Sequence, residues 1–279
     1  MPERITSYTA NGLRFDVNDS GPLNGDPVVL LHGFPQTARS WDRVSMLLNA
    51  ARYRTIAPNQ RGYSPGARPK GRSAYRLEEL VSDVLALIDT LDMGPVHLVG
   101  HDWGAAVAWS LAAGYPEHVR TLTSVSVPHP GAFMRSMTTS GQALRSYYMA
   151  IFQIPWLPEV LGERSPLFKT MLSRAGMSEQ QIREVSDEIV DGGALPYALN
   201  WYRALPFSNP KELSRRVRVP TTHVWSTHDV ALGRKTAELA GDFVKAPFRL
   251  EILDGSHWIP EQQPDELARI IRERIESKD

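Results

Sequence analysis

Asp102 lies in the stretch of this chain whose residue types and spacing most clearly indicate chemistry. The apolar run Val96–Val99 predicts a strand, Gly100-His101-Asp102-Trp103-Gly104 follows, and the alanine-rich Trp103–Ala113 predicts a helix. This is the context of a nucleophile elbow, a strained strand-to-helix turn that exposes one side chain at the sheet edge. A carboxylate needs no base to activate it, since aspartate ordinarily titrates near pH ~3.9. The motif alone would also fit a loop with an N-capping aspartate, but the flanking elements favour Asp102 as a nucleophile that forms an ester with carbon.

Hydrolysis of such an ester requires a base to activate water and an acid to orient that base. In folds that carry a nucleophile elbow, the chain order is nucleophile, acid, histidine. Among eight histidines, His257 alone follows the last predicted strand, Phe248–Leu253, and precedes the last predicted helix. Asp229 follows the predicted strand Thr221–Ser226, so we predict that it is the acid. Asp254 is a rival acid, but its position close to His257 in the chain favours turn chemistry.

The loop after an early strand, Leu30-Leu31-His32-Gly33-Phe34-Pro35, is a candidate for part of an oxyanion hole. In hydrolases of this architecture one N–H comes from that loop and the other from the residue after the nucleophile. The backbone N–H groups of Phe34 and Trp103 are therefore the predicted donors. The alternative is an ordinary turn before a helix. The sequence leaves the Phe34-Pro35 peptide open to either the cis or the trans form.

The elements that must position these residues alternate between strand and helix over the first part of the chain. Such alternation implies a parallel sheet with helices on both faces. The predicted strands are Thr6–Tyr8, Leu13–Val17, Val28–Leu31, Thr55–Ala57, Val96–Val99 and Leu122–Val127. The predicted helices are Trp41–Ala51, with Ser40 as N-cap, Leu77–Leu91 and Trp103–Ala113.

The alternation then stops, and residues 128–210 show no strand pattern but are rich in Tyr, Met, Trp and Pro. Ser178 with Gln181 predicts a capping box that opens a helix through Val190. The strands and helices resume over residues 211–279, with helices predicted at Arg234–Val244 and Glu266–Glu276. We therefore predict a core formed by residues 1–127 and 211–279, interrupted by a helical lid at 128–210. Such an insertion would lie above the carboxyl ends of the strands, where open α/β sheets bind ligands.

Composition excludes several other classes of function. The 279 residues include 31 Lys+Arg and 31 Asp+Glu, and this neutral balance argues against nucleic acid or an anionic membrane as the main partner. Cysteine is absent, which excludes disulfides, thiolate metal sites and a cysteine nucleophile. The start of the chain lacks the apolar run of a signal peptide, and no apolar stretch approaches the ~20 residues that span a bilayer. We expect a soluble, cytoplasmic protein of unknown oligomeric state.

Four motifs together resemble the α/β-hydrolase superfamily and, within it, the soluble epoxide hydrolases. They are His32-Gly33-Phe34-Pro35, Arg61-Gly62-Tyr63-Ser64, Gly100-His101-Asp102-Trp103-Gly104 and Gly255-Ser256-His257-Trp258. The resemblance covers nearly the whole chain. It implies the α/β-hydrolase fold, a mostly parallel central sheet flanked by helices, with a helical lid insertion. The family's arginine–glycine loop often reads Arg-Gly-x-Gly-x-Ser, and here Ser64 and Gly66 take the later places. We interpret this loop as structural.

The resemblance also implies two lid tyrosines that donate hydrogen bonds to an epoxide oxygen. Asn200-Trp201-Tyr202-Arg203 is similar to the second tyrosine motif of the family. Ser146-Tyr147-Tyr148-Met149 is similar to the first, with Tyr148 as the better-aligned donor and Tyr147 as the alternative. Aromatic residues in a lid can also serve packing alone.

The implied activity is conversion of an apolar epoxide and water to a vicinal diol, through an ester on Asp102 and with neither metal nor organic cofactor. We expect the side chains of Trp103, Phe34 and Trp258 to contact the substrate. Haloalkane dehalogenases share an aspartate nucleophile followed by tryptophan, but usually place asparagine where this chain has Phe34. Fluoroacetate dehalogenases carry arginine where this chain has Trp103. Both haloalkane and haloacid dehalogenases remain alternatives, and a ligand sensor that does not turn over is a third.

Overall fold

The fold is built on one eight-stranded sheet in a computed structural model that describes residues 3–164 and 166–277. The strand order is β1-β2-β4-β3-β5-β6-β7-β8. Only the first two strands pair antiparallel to their neighbours, and the other pairings are parallel. The strands are β1 Ser7–Ala10, β2 Leu13–Ser20, β3 Pro27–Leu31, β4 Arg54–Pro58, β5 Val96–His101, β6 Val119–Val125, β7 Thr221–Ser226 and β8 Phe248–Leu253. The predicted fold class is thereby confirmed.

Helices cover both faces of this sheet and form a separate group between β6 and β7. Those of the core are α1 Asp42–Ala50, α2 Leu77–Leu91, α3 Trp103–Gly114, α13 Arg234–Glu238, α14 Ile259–Gln262 and α15 Pro264–Glu276. Those between β6 and β7 are α4 Pro130–Thr139, α5 Gln142–Arg145, α6 Tyr147–Phe152, α7 Leu157–Arg164, α8 Pro166–Arg174, α9 Glu179–Val185, α10 Leu195–Ala198, α11 Asn200–Arg203 and α12 Pro210–Leu213. Within the described part of the chain, no helix is long and apolar enough to cross a membrane.

Alternation along the central strands divides the core into two layers. Val28 and Leu30 of β3 pack with α1 and α15, whereas Val29 and Leu31 pack with α2 and α3. Successive side chains of a strand point to opposite faces, so a continuous apolar run buries both faces at once. The five residues of β3 are all buried, as this requires.

Most predicted bounds differ from the observed ones by one to three residues, and four differences have identifiable structural causes. The α1 helix begins at Asp42 after a 3-10 turn, Ala38–Trp41, whose N-cap side chain is Thr37 and not Ser40. Strand β6 begins at Val119 and ends at Val125, because Ser126 takes a left-handed conformation with φ of 66°. The capping box at Ser178 is present, but the α-helix ends at Val185 and continues as a π-helical turn, Ser186–Asp191.

The fourth correction concerns the helix predicted at Arg234–Val244. Its α-helical part ends at Glu238, and a 3-10 turn, Ala240–Phe243, follows. A Cβ atom on Gly241 would lie 2.9 Å from the Phe248 ring, so the chain approaches β8 closely there.

Candidate active site

The turn between β5 and α3 holds Asp102 in a strained conformation. Its φ is 52° and its ψ is −121°, a region that residues with a Cβ atom rarely occupy. The flanking glycines permit the close packing of the turn. A Cβ atom on Gly100 would lie 2.3 Å from the Gly104 carbonyl oxygen, and one on Gly104 would lie 2.2 Å from the Leu31 carbonyl oxygen. Larger residues at either position would therefore push the strand and helix apart.

The Asp102 carboxylate accepts hydrogen bonds from the two predicted backbone donors. The N–H of Phe34 donates to Oδ1 at 2.8 Å, and the N–H of Trp103 also hydrogen-bonds the carboxylate. A Cβ atom on Gly33 would lie 2.3 Å from the Cβ of Asp102, so only glycine allows this approach. The Phe34-Pro35 peptide is cis. Backbone N–H groups placed in this way can stabilise negative charge that develops on the carboxylate.

The other carboxylate oxygen faces His257. The His257 Nε2 lies 3.6 Å from Asp102 Oδ2, and its Nδ1 lies 2.8 Å from Asp229 Oδ2. Asp229 is held in turn, because its Oδ1 accepts hydrogen bonds from the backbone N–H groups of Ala231 and Leu232. The rival Asp254 is an exposed side chain that pairs with His228 at 3.0 Å. The structure thus brings Asp102, His257 and Asp229 together and leaves Asp254 outside.

Two further residues hold the backbone of His257, and sequence reasoning missed both. His101 Nε2 and Ser126 Oγ each donate to the His257 carbonyl oxygen, at 2.9 and 3.0 Å. Burial lowers the pKa of His101 to about 4, so this ring is neutral. His101 stands inside the Gly-x-Asp-x-Gly motif, and that position was the available signal. Ser126 lies in none of the motifs, and the left-handed turn at the end of β6 positions it.

The charges at the site are strongly coupled. Burial lowers the pKa of His257, but the carboxylates of Asp229 and Asp102 outweigh burial and raise the pKa to about 10. Burial likewise raises the pKa of Asp102, but the hydrogen bond and positive charge of His257 outweigh that effect and hold it below its ordinary value. The resting site therefore pairs a carboxylate at position 102 with an imidazolium at position 257.

Two tyrosines from the α6 and α11 helices face the same site. The rings of Tyr148 and Tyr202 lie 6.1 Å apart between centroids, and both side chains line the cavity above Asp102. Burial raises the pKa of each hydroxyl well above its ordinary value, so both carry a proton. Tyr147 also borders the cavity, but it is 62% exposed. The geometry favours Tyr148 over Tyr147 as a donor.

The cavity has a volume of about 480 Å³ and is mostly apolar. Phe34 and Trp258 line it, together with Phe152, Phe168, Leu195 and others. Trp103 is not among the described residues that line the cavity. Its indole instead packs edge-on against Tyr202 at 5.1 Å and against Trp201 at 5.8 Å. The Trp103 ring therefore supports Tyr202, and the contact between Trp103 and substrate stays a prediction.

A buried Asp–His–Asp set at the carboxyl ends of parallel strands, with the nucleophile on a strained turn, defines an α/β hydrolase with an aspartate nucleophile. The model of the alpha/beta hydrolase fold family matches residues 26–153. The AB hydrolase superfamily protein YfhM of Bacillus subtilis is 33% identical over 96% of both chains. Human epoxide hydrolase 4 is 33% identical over 94% of this chain and 75% of its own.

Solved structures agree with this assignment. A structure described as one of several novel epoxide hydrolases from metagenomes of hot environments superimposes with a TM-score of 0.83 at 28% identity. The match covers 100% of this chain and 99% of that chain. The chain belongs to the epoxide hydrolase family of the α/β hydrolases.

Proposed function

We propose that this enzyme converts an apolar epoxide and water to a vicinal diol through a covalent ester on Asp102. The observation that carries the proposal is the convergence of four groups on one cavity: the Asp102 carboxylate, the His257 imidazole and the hydroxyls of Tyr148 and Tyr202. The first two form and hydrolyse an ester. The two phenols supply what an epoxide specifically needs, a proton for its ring oxygen.

In the first step, Asp102 Oδ2 attacks one carbon of the epoxide and the bond from that carbon to the ring oxygen breaks. Tyr148 and Tyr202 hydrogen-bond the ring oxygen, and one phenol transfers its proton to the alkoxide that forms. The resulting phenolate takes a proton from solvent, and the His257 imidazolium releases one proton to solvent. The carboxylate and the imidazolium thus lose their charges together, and the net charge of the site does not change.

In the second step, the neutral His257 takes a proton from water, and the resulting hydroxide attacks the carbonyl carbon of Asp102. Negative charge then develops on Oδ1, which already lies 2.8 Å from the Phe34 nitrogen. Removal of one such donor in other enzymes costs about 3–4 kcal/mol of transition-state stabilisation. Collapse of the intermediate releases the diol, whose oxygen takes the proton from His257. The carboxylic acid left at Asp102 then gives its proton to His257, which restores the carboxylate and the imidazolium. Each proton and electron pair in this scheme is supplied by a side chain, substrate or water, so no step requires a metal or an organic cofactor.

The lid supports this assignment over dehalogenation. We propose that residues 128–210 form the lid, and both phenols come from that segment. A halide leaving group needs N–H donors rather than a proton, and Phe34 has no side-chain donor to offer. A non-catalytic ligand sensor would need the cavity but not the Asp102–His257–Asp229 arrangement beneath it.

Turnover of four compounds tests the proposal: styrene oxide, a longer aliphatic epoxide, a bromoalkane and fluoroacetate. We expect diol from one or both epoxides, measured by chromatography, and no halide from the other two. Halide release without diol would establish a dehalogenase instead. Binding of the epoxides without any product would establish a sensor.

A further inference from the structure

The loop that carries Asp229 is held along its whole length by side chains. We call residues 229–233 the acid loop. Arg145 Nη1 lies 3.4 and 3.3 Å from the carbonyl oxygens of its first two residues. Gln142, Trp225 and Thr236 donate to the next three carbonyl oxygens, at 2.7, 2.9 and 2.7 Å. Trp225 and Thr236 belong to the core, whereas Gln142 and Arg145 belong to α5 in the lid.

Gln142 makes the strongest contact between the lid and the acid loop. Its side chain is only 1% exposed. Nε2 donates to the Ala231 carbonyl oxygen and, at 3.0 Å, to Ser146 Oγ, while Oε1 accepts from the Gly233 N–H at 2.9 Å. Both amide hydrogens are therefore used, and the acid loop is held through one donor and one acceptor.

The part of the loop that Gln142 holds is also the part that orients the acid. Asp229 Oδ1 accepts from the N–H groups of Ala231 and Leu232, so the position of this backbone sets the direction of the carboxylate. The opposite oxygen, Oδ2, is the one that lies 2.8 Å from His257 Nδ1. A shift of the loop by a few tenths of an ångström would lengthen that contact, because both oxygens move with it.

We infer that Gln142 is a positioning residue for ester hydrolysis, through which the lid holds the acid loop and so fixes Asp229 against His257. The expected effect on ester hydrolysis rests on the proposed function, whereas the expected effect on the contact between Asp229 and His257 does not. The lid would then supply more than the tyrosines that open the epoxide. It would also set the basicity of a histidine that belongs to the core.

The variant Gln142→Met tests the inference, because methionine keeps the length of the side chain and removes its hydrogen bonds. With styrene oxide under single-turnover conditions, we expect ester hydrolysis to slow about tenfold and ester formation to change less than twofold. The pH midpoint of ester hydrolysis should fall by about half a pH unit, because a more distant carboxylate stabilises the imidazolium less. In the free enzyme, NMR titration of the His257 ring should show a fall of the same sign.

Gln181→Met is the matched control. Gln181 is another buried lid glutamine with hydrogen bonds from both ends of its amide, to Glu261 and from Ser178, and it is remote from the acid loop. We expect the control to lose similar thermal stability and to retain both pH midpoints. Equal changes in the two variants, or wild-type kinetics in Gln142→Met, would overturn the inference.

Two safeguards keep this test decisive. If Gln142→Met does not fold, Arg145→Lys, which keeps the positive charge but changes the contacts with the first two carbonyl oxygens, should show a smaller shift of the same sign, and its absence would overturn the inference. If the wild-type enzyme leaves styrene oxide and the longer aliphatic epoxide unchanged, the proposed function fails. The NMR titration of His257 still tests the role of Gln142, because it needs no substrate.

Discussion

A histidine between two carboxylates is a poor base until one of the carboxylates loses its negative charge. His257 lies 2.8 Å from Asp229 and 3.6 Å from Asp102, and its pKa is raised to about 10. At neutral pH it therefore carries a proton in the free enzyme. Ester formation at Asp102 removes one of the two negative charges, and the pKa of His257 must then fall. The first step thereby prepares the base that the second step requires.

Asp102→Ala tests this coupling directly. Turnover should be lost, because the structure offers no second carboxylate in the same position. The pKa of His257, followed by NMR, should fall from about 10 by about one to three pH units, since an opposite charge within ~4–6 Å contributes that much. Circular dichroism should show an intact fold. An unchanged pKa in a folded variant would mean that Asp229 alone determines the protonation of His257.

His257→Gln separates the two steps of the reaction. Asp102 needs no base for its attack, so the ester should form and then persist, because no group activates water. Intact-protein mass spectrometry should find an adduct heavier by one whole epoxide, since ring opening expels no leaving group. Peptide mapping should place it on the segment containing Gly100-His101-Asp102-Trp103-Gly104.

Other mechanisms give different outcomes in the same experiment. A dehalogenase would add a mass that lacks the halogen and would release halide in a single burst. Continued loss of epoxide without an adduct would mean that water attacks the substrate directly, and the two-step mechanism would be wrong.

The lid helices α6 and α11 each contribute one phenol, and their replacement is the test at the scale of elements. Tyr148→Phe and Tyr202→Phe should each slow ester formation by about 10²–10⁴-fold, the usual range for a proton donor, and the double variant should nearly stop it. Tyr147→Phe is the matched control, because that exposed neighbour lies on the same helix. Rapid-quench measurement of the ester separates this step from hydrolysis. Full activity in the double variant would contradict the lid assignment.

Sequence patterns predict elements best where the structural preferences of the residues agree with the place of the segment in the fold. Both β7 and β8 have their predicted bounds, because each is rich in β-branched, aromatic or aliphatic residues and directly follows a proline. The elbow at Asp102 could be predicted because Gly-x-Asp-x-Gly between a strand and a helix supplies the two glycines that the close packing of this turn requires. The change to a wider π-helical turn after Val185 and to a tighter 3-10 turn after Glu238 could not be predicted, because helical periodicity continues through both.

Side-chain direction is the part that sequence leaves undetermined. Trp103 directly follows the nucleophile, so proximity in the chain predicts contact with substrate, yet its ring points to Tyr202. Conversely, Gln142 is 87 residues from Asp229 in the chain and contacts the same loop. Such pairings depend on how the lid packs on the core, and a one-dimensional pattern carries no information on that packing.

At the scale of the whole molecule, the arginine–glycine loop is attached both to the core and to the lid. A buried ion pair attaches it to the core, and a backbone hydrogen bond attaches it to the lid. Arg61 binds both oxygens of Asp83 on α2, each at 2.7 Å. Its carbonyl oxygen accepts from the Trp201 indole at 2.7 Å, and Trp201 packs against Trp103. The loop is therefore structural, as its sequence suggested, and it fixes the lid end that carries Tyr202.

Asp83→Ala should destabilise the protein by up to about 3–5 kcal/mol, because it leaves the buried Arg61 charge with only the more distant Glu79 carboxylate, at 3.8 Å. The exposed pair of Arg234 and Glu238 offers a control, and Glu238→Ala should cost less than about 1 kcal/mol. Urea denaturation measures both. Similar losses in the two variants would mean that the Arg61–Asp83 pair contributes little beyond an ordinary surface contact.

The unequal surroundings of the two Asp102 oxygens determine the fate of each atom. Oδ1 stays with the backbone N–H of Phe34, whereas Oδ2 bonds to substrate and leaves in the diol. The oxygen of water takes its place on the carboxylate and becomes the next attacking atom. Each diol therefore contains an oxygen that entered the protein one cycle earlier. Enzyme transferred into ¹⁸O-water would release its first diol unlabelled and its second labelled, and Oδ1 would keep its original isotope throughout.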